Sequence, residues 1–380
     1  MANLTQKDLV DLVTRVFPSL PNDKKLALLV DVPNLPEKDS ANWRKRRFLT
    51  RQWCDYLQKG LDSLHLDAAE LIAYPSVESN NANFPDTGFI LDSKVPDLSR
   101  QLTGNQISFK KIFSDFQLFM APTQFSTTAP LKVAARQYGF RAATMPGFTT
   151  AMIPALQIDY TLVDERCRLM KEKLDDAIAA QVEFGIDNDT QYPITFDLRY
   201  RDAHASSGRF PEPGTAGNLP SGESYIVPYE GEKEPASKTN GTLPVQFNDE
   251  VVLFEIKENK AVAVKSRGPE SEKQVRLLRD EPAYGNMAEL GFGILADFGL
   301  HPIGEMLLDE KLAFHIAFGR SDHFGGIVGP EQFSSPKSVV HIDRIYLPSI
   351  QNRVKINRLD LVDQDNRIET IISDNRYSIF

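Results

Sequence analysis

Cysteine is scarce. Cys54 and Cys167 are the only two in 380 residues, too few for a disulfide framework. Both sit in helix-like surroundings, RQWCDYL and DERCRLMKEKL, and read as free thiols of a reducing compartment. Long apolar runs are also missing: none approaches the roughly 18 residues that a membrane-spanning helix needs. The opening MANLTQKDLVDLVTRVFPSL has no basic stretch followed by an apolar core, so it is not read as a signal peptide. Positive charge is in the minority, 43 Lys and Arg against 52 Asp and Glu, for a formal charge of -9. That balance is poorly matched to a nucleic-acid backbone. The expectation is a cytoplasmic protein with neither nucleic acid nor membrane as partner.

What is present is enough apolar material, 41% of a 380-residue chain, for two cores. Residues 5–16 carry Leu9, Val10, Leu12, Val13 and Val16 at helical spacing behind a candidate Thr5 cap. KLALLVDVP (25–33) and ELIAYPSV (70–77) read as buried strands, and RKRRFLTRQWCDYLQKGLDSL (44–64) as an amphipathic surface helix between them. Residues 116–147 give strand, loop, helix and strand. This alternation predicts an open, largely parallel α/β domain over 1–165. DERCRLMKEKLDDAIAAQVEFG (164–185) reads as a long helix that could join two domains. Afterwards the pattern changes: 192–202, 223–231, 250–266 and 338–347 are strand-like, alternating and rich in β-branched residues. Gly, Pro and Asn clusters such as PEPGTAGNLPSGE separate them. The expected fold class is α/β, with an N-terminal open α/β domain and a C-terminal mixed, antiparallel-rich α+β metal-binding domain over 166–380.

The chemistry-bearing residues fall in that second half. In HID, His341 and Asp343 are two apart, so a strand presents imidazole and carboxylate on one face, a two-ligand fork for a divalent metal. Alone, such a pair is common on exposed strands. His315 lies in KLAFHIAFGRSDHFGG, whose apolar flanks put it on a strand entering the core. A buried histidine of that kind is usually just hydrogen-bonded, but Gly319, Gly325 and Gly326 behind it mark a loop passing close to something. Asp322 and His323 lie in that loop. Glu223 follows the turn NLPSG and opens a strand, where an acid can reach a metal or simply face solvent. Glu289 sits among small and apolar neighbours in YGNMAELGFGILADFGL, where a buried carboxylate needs a partner. The GFG there is no nucleotide loop, because no strand-Gly-x-Gly-x-x-Gly-helix unit surrounds it. Three carboxylates and two imidazoles near glycine turns suit two adjacent divalent ions with a bridging acid.

NLPSGE, AELGFG, LAFHIAFG and HID occur in the order of the metal-ligand blocks of the thermophilic-type aminopeptidases, and FSTTAPLKVAARQYGFRAATMPG (125–147) is similar to a block of that family's N-terminal domain. Over roughly residues 115–346 the chain thus resembles the aminopeptidase T metallopeptidases. The resemblance implies an aminopeptidase acting on peptides with two divalent metal ions (Zn, Co or Mn). It implies Glu223, Glu289, His315, His341 and Asp343 as ligands, and a homodimer enclosing the active site. It also makes Glu223 the candidate for a carboxylate shared by the metals or close to the bridging water. One departure stands out: the family peptidases carry a tyrosine shortly after the first histidine, where this chain has Asp322. His323 is the candidate catalytic replacement. Ring-cleaving Fe(II) dioxygenases of the same superfamily, acting on dihydroxypyridines, carry histidine where this chain has Glu289, so the two retained glutamates favour the hydrolase side. A non-catalytic relative is the third reading.

Overall fold

The computed structural model describes residues 3–187 and 190–380. Two compact units emerge, one of residues 1–164 with 206–221, the other of 165–205 with 222–380. No helix among the described residues is long and apolar enough to cross a membrane.

The first unit is built on a seven-stranded sheet. Its order is Ala216–Asn218, Arg141–Thr144, Leu118–Ala121, Lys25–Val32, Ala68–Pro75, Thr87–Leu91 and Asn105–Ser108. The first five run parallel, and Thr87–Leu91 runs against them, pairing antiparallel with both Ala68–Pro75 and Asn105–Ser108. Leu26 to Val30 are all fully buried, as a strand covered on both faces must be. Thr5 caps the helix Gln6–Val16 and forms a capping box with Asp8. The segment 206–221 leaves the second half of the sequence to place Ala216–Asn218 beside Arg141–Thr144.

The basic run near residue 46 corrects the expectation of a surface helix. On the helix Ala41–Lys59, Arg46 and Arg47 are each 2% exposed. Arg46 donates to the Phe148 carbonyl and to Gln124, and Arg47 makes a two-pronged pair with Asp39. These guanidiniums are internal struts.

The second unit holds two antiparallel sheets. The larger has eight strands, with Thr190–Asp197 and Ala177–Ile186 at its centre and Val354–Asp363 next to the latter. Here the long-helix expectation fails: the helix runs from Tyr160 to Asp176, and Ala177–Ile186 is a strand. Its alanines favour helix locally, but pairing on both edges wins. The run 250–266 is a hairpin, turning at Glu258 and Asn259, both with positive φ.

The smaller sheet has five strands and carries the candidate site. Its neighbours run from His341–Ile345 through Phe314–Gly319 and Met287–Gly293 to Glu223–Ile226. One face is apolar: Ile226, Leu290, Phe292, Phe314, Ile316 and Phe318 join the core of the unit.

Candidate metal centre

Side chains alternate along a strand, so the residues between those core positions face the other way. Glu223, Glu289, His315, His341 and Asp343 all lie on that second face, by strand parity and cross-strand register. Each stands opposite a residue with little or no side chain: Glu223 faces Gly293, Glu289 and Asp343 face Ala317, His315 faces Gly291, and His341 faces Gly319. The small residues leave room for the donors to lean together. At Gly291 the imidazole itself fills the space, since an added Cβ would lie 1.9 Å from His315 Nε2. Gly319 adopts φ +104, and a Cβ there would meet the Val340 carbonyl at 2.3 Å. Gly291→Ala is expected to displace the His315 imidazole. Thermal melting should show a loss of about 1–3 kcal/mol, and elemental analysis a metal affinity at least about tenfold weaker.

All five predicted ligands come together. His315 Nε2 lies 3.7 Å from Glu223 Oε2, 3.6 Å from Glu289 Oε1 and 3.9 Å from Asp343 Oδ1. His341 Nε2 lies 3.2 Å from Glu289 Oε2 and 3.5 Å from Asp343 Oδ1. The two oxygens of Glu289 thus face different imidazoles. Two groups of donors result, Glu223 with Glu289 and His315, and Glu289 with His341 and Asp343. Each histidine has its Nδ1 against a backbone carbonyl, Ala313 at 3.1 Å for His315 and Arg320 at 2.8 Å for His341. Nδ1–H donation fixes the tautomer and leaves Nε2 free to ligate.

The donors fit a divalent cation on two further counts. Glu223 Oε2 is buried with no hydrogen-bond partner, a costly state that a cation would relieve. Its other oxygen is held by Lys311, whose ammonium also pairs with Glu310 at 2.6 Å. The lysine orients Glu223 so that the free oxygen points at the cluster. Neither Lys311 nor Glu310 is marked by the sequence, because they lie before the His315 strand with no periodicity to single them out.

The electrostatics follow from crowding charges out of water. Burial opposes ionisation of Glu289, but hydrogen bonds from His315 and His341 outweigh it and bring its pKa to about 2. Asp343 is also held below the usual carboxylate range: burial opposes this, and the His341 hydrogen bond and the nearby imidazoles prevail. Burial works against a charged His315, yet Glu289, Asp343 and Glu223 raise its pKa to about 9. His341 is raised well above its ordinary value by Asp343 and Glu289, again against burial. Burial raises Glu223 despite Lys311, and pushes Glu310 up to about 8. In the metal-free chain, protons on the imidazoles occupy the place of cations.

The loop after the His315 strand brings the exposed residues Asp322 and His323 beside the cluster. Asp322 turns to Arg320, 2.5 Å from its Nε. The His323 ring lies 5.3 Å from that of His341. Burial and the neighbouring His341 and Arg320 charges lower the His323 pKa to about 4, so it is neutral at physiological pH. Tyr225 went unnoticed in the sequence. It follows Glu223 by two positions on the same strand, which was the available signal, and it pairs with Gly291 on the site face. Burial and the Glu289 and Glu223 charges raise its pKa, so it keeps its phenolic proton.

The class defined by fold and site is a two-unit α/β protein with a buried His, Glu and Asp cluster able to hold metal. No protein-family model matches the chain, and no curated protein matches it. Among solved structures, it shares the fold of the 2,5-dihydroxypyridine dioxygenase from Pseudomonas putida KT2440, at 14% identity and a TM-score of 0.59, with 99% of each chain covered. It likewise matches wild-type AmpT from Thermus thermophilus, at 14% identity and a TM-score of 0.54, over 98% of this chain and 100% of that one. The expected likeness to aminopeptidase T is matched at the level of fold, and the dioxygenase shares it.

Proposed function

We propose that the chain is a metal-dependent hydrolase, an aminopeptidase that removes N-terminal residues from peptides at a centre of two divalent ions. The observation that carries this reading is Glu289, which belongs to both donor groups and turns one oxygen to each histidine. A carboxylate so placed is the bridge a two-metal site needs. Glu223, His315, Glu289, His341 and Asp343 would hold the ions. Divalent ions bound there supply Lewis acidity and an acidified water. Glu223 offers its unpaired oxygen to the same space as a ligand, with Lys311 balancing its charge. His323, neutral and exposed beside the cluster, offers a hydrogen bond to developing negative charge. A homodimer accompanies this reading and is open to light scattering.

The second reading is an Fe(II) ring-cleaving dioxygenase. It is supported by His315, His341 and Asp343, which by themselves make a two-histidine, one-carboxylate set. One experiment separates the two. The purified chain is loaded with zinc, cobalt or manganese and assayed on leucine p-nitroanilide. A second portion is loaded anaerobically with ferrous iron and given oxygen with a dihydroxypyridine. Anilide hydrolysis without oxygen uptake is expected; the reverse pattern overturns the hydrolase.

A further inference from the structure

A chain of aromatic rings leads from the surface to the cluster. On the side of the Met287–Gly293 strand Tyr225 has no side chain opposite it, because its neighbour there is Gly291. Its ring lies 5.2 Å from His204 on one side and 4.8 Å from Phe324 on the other. Phe324 in turn packs 4.0 Å from His323 and 5.3 Å from His341, a candidate ligand. Tyr225 and Phe324 are half-buried, while His204 and His323 are exposed. Half-buried rings beside a buried polar cluster offer a face to a ligand.

The wall is also held in place. Glu230 accepts hydrogen bonds from Ser321 Oγ at 2.5 Å and from the Ile327 N–H at 2.5 Å, so both ends of the segment carrying His323 and Phe324 are tied to one carboxylate. Asn286 donates to the same carboxylate at 2.7 Å, and Arg201 lies 3.3 Å away. A fixed ring costs a ligand less to stack on than a mobile one.

We propose that Tyr225 and Phe324 form a ring-stacking subsite beside the centre, and that the substrate carries a planar aromatic ring next to the group that reacts. Under the hydrolase reading, on which this rests, the preferred peptide begins with an aromatic residue. Offset or edge-to-face contact with either ring would favour a planar partner over a saturated ring of the same size.

The test compares such pairs by calorimetry. Phenylalanine hydroxamate and cyclohexylalanine hydroxamate are titrated into the zinc-loaded chain, and benzylamine and cyclohexylmethylamine into the metal-free chain. The planar member of each pair is expected to bind about fivefold more tightly. Phe324→Leu and Tyr225→Leu should bring each ratio towards one, with metal content that of the native chain. Equal affinities in the native chain, or a ratio that survives both substitutions, would overturn the subsite. If the chain takes up no metal and binds no hydroxamate, yet prefers benzylamine, the metal reading fails and the subsite stands.

Discussion

Glu289→Ala will cost the protein its pair of divalent ions. Of the five candidate ligands, Glu289 is the one common to both donor groups, so its loss leaves two donors in each, Glu223 with His315 and His341 with Asp343, joined only by the 3.9 Å approach of His315 to Asp343. Two donors do not hold a structural or catalytic ion when three or four are the rule. Metal-assisted catalysis contributes several kcal/mol of transition-state stabilisation, so hydrolysis should fall by about a thousandfold or more. Glu223→Gln is the informative partner: it keeps the shape, removes one charge and leaves the Glu289, His341 and Asp343 group intact. It should lower turnover steeply while elemental analysis still finds metal at the second group. Unchanged metal content in both variants would sink the centre.

The second large effect is a stabilisation by metal that grows with pH. In the metal-free chain His315 titrates at about 9, above the roughly 6.5 of a free imidazole. A base whose folded pKa is raised stabilises the fold fully below the unfolded value, and that contribution disappears as pH rises through the folded value. The metal-free protein should therefore lose stability between about pH 6.5 and about pH 9, by an amount of order 3 kcal/mol for His315 alone. Glu289 acts in the opposite direction. Its depressed pKa of about 2 gives stability present above the ordinary carboxylate range and lost as pH falls towards that value. Metal ligation requires neutral imidazoles, so ions compete with protons at low pH and bind unopposed at high pH. Zinc at about a thousand times its dissociation constant contributes about 4 kcal/mol. Scanning calorimetry at several pH values should show the metal-dependent rise in Tm increasing from about pH 6 to about pH 9. A rise that shrinks with pH would contradict the ligand set.

How legible this was depends on the range of the interactions involved. The parallel first domain could be read, because Leu26 to Val30 is an unbroken apolar run and the Gln6–Val16 helix carries its own cap. Local signals also announced the fork of His341 and Asp343, since a two-residue period needs only its own strand. Ala177–Ile186 was misread as helix because its strand partners, Thr190–Asp197 and Val354–Asp363, act on it from outside its local sequence. Arg46 and Arg47 looked like surface charge until Asp39, Phe148 and Gln124 supplied buried partners.

By itself, the sequence determined the inventory: two imidazoles, three carboxylates, the glycines near them, and alternation that puts donors on one strand face. Only the tertiary structure decided that Gly293, Gly291, Ala317 and Gly319 would stand opposite those donors, that Lys311 would hold one oxygen of Glu223, and that Tyr225 would join the wall of the site. Composition and period are properties of neighbours along the chain. Cross-strand register and buried charge pairing arise between segments far apart in sequence, and they take form only when the sheet closes over its core.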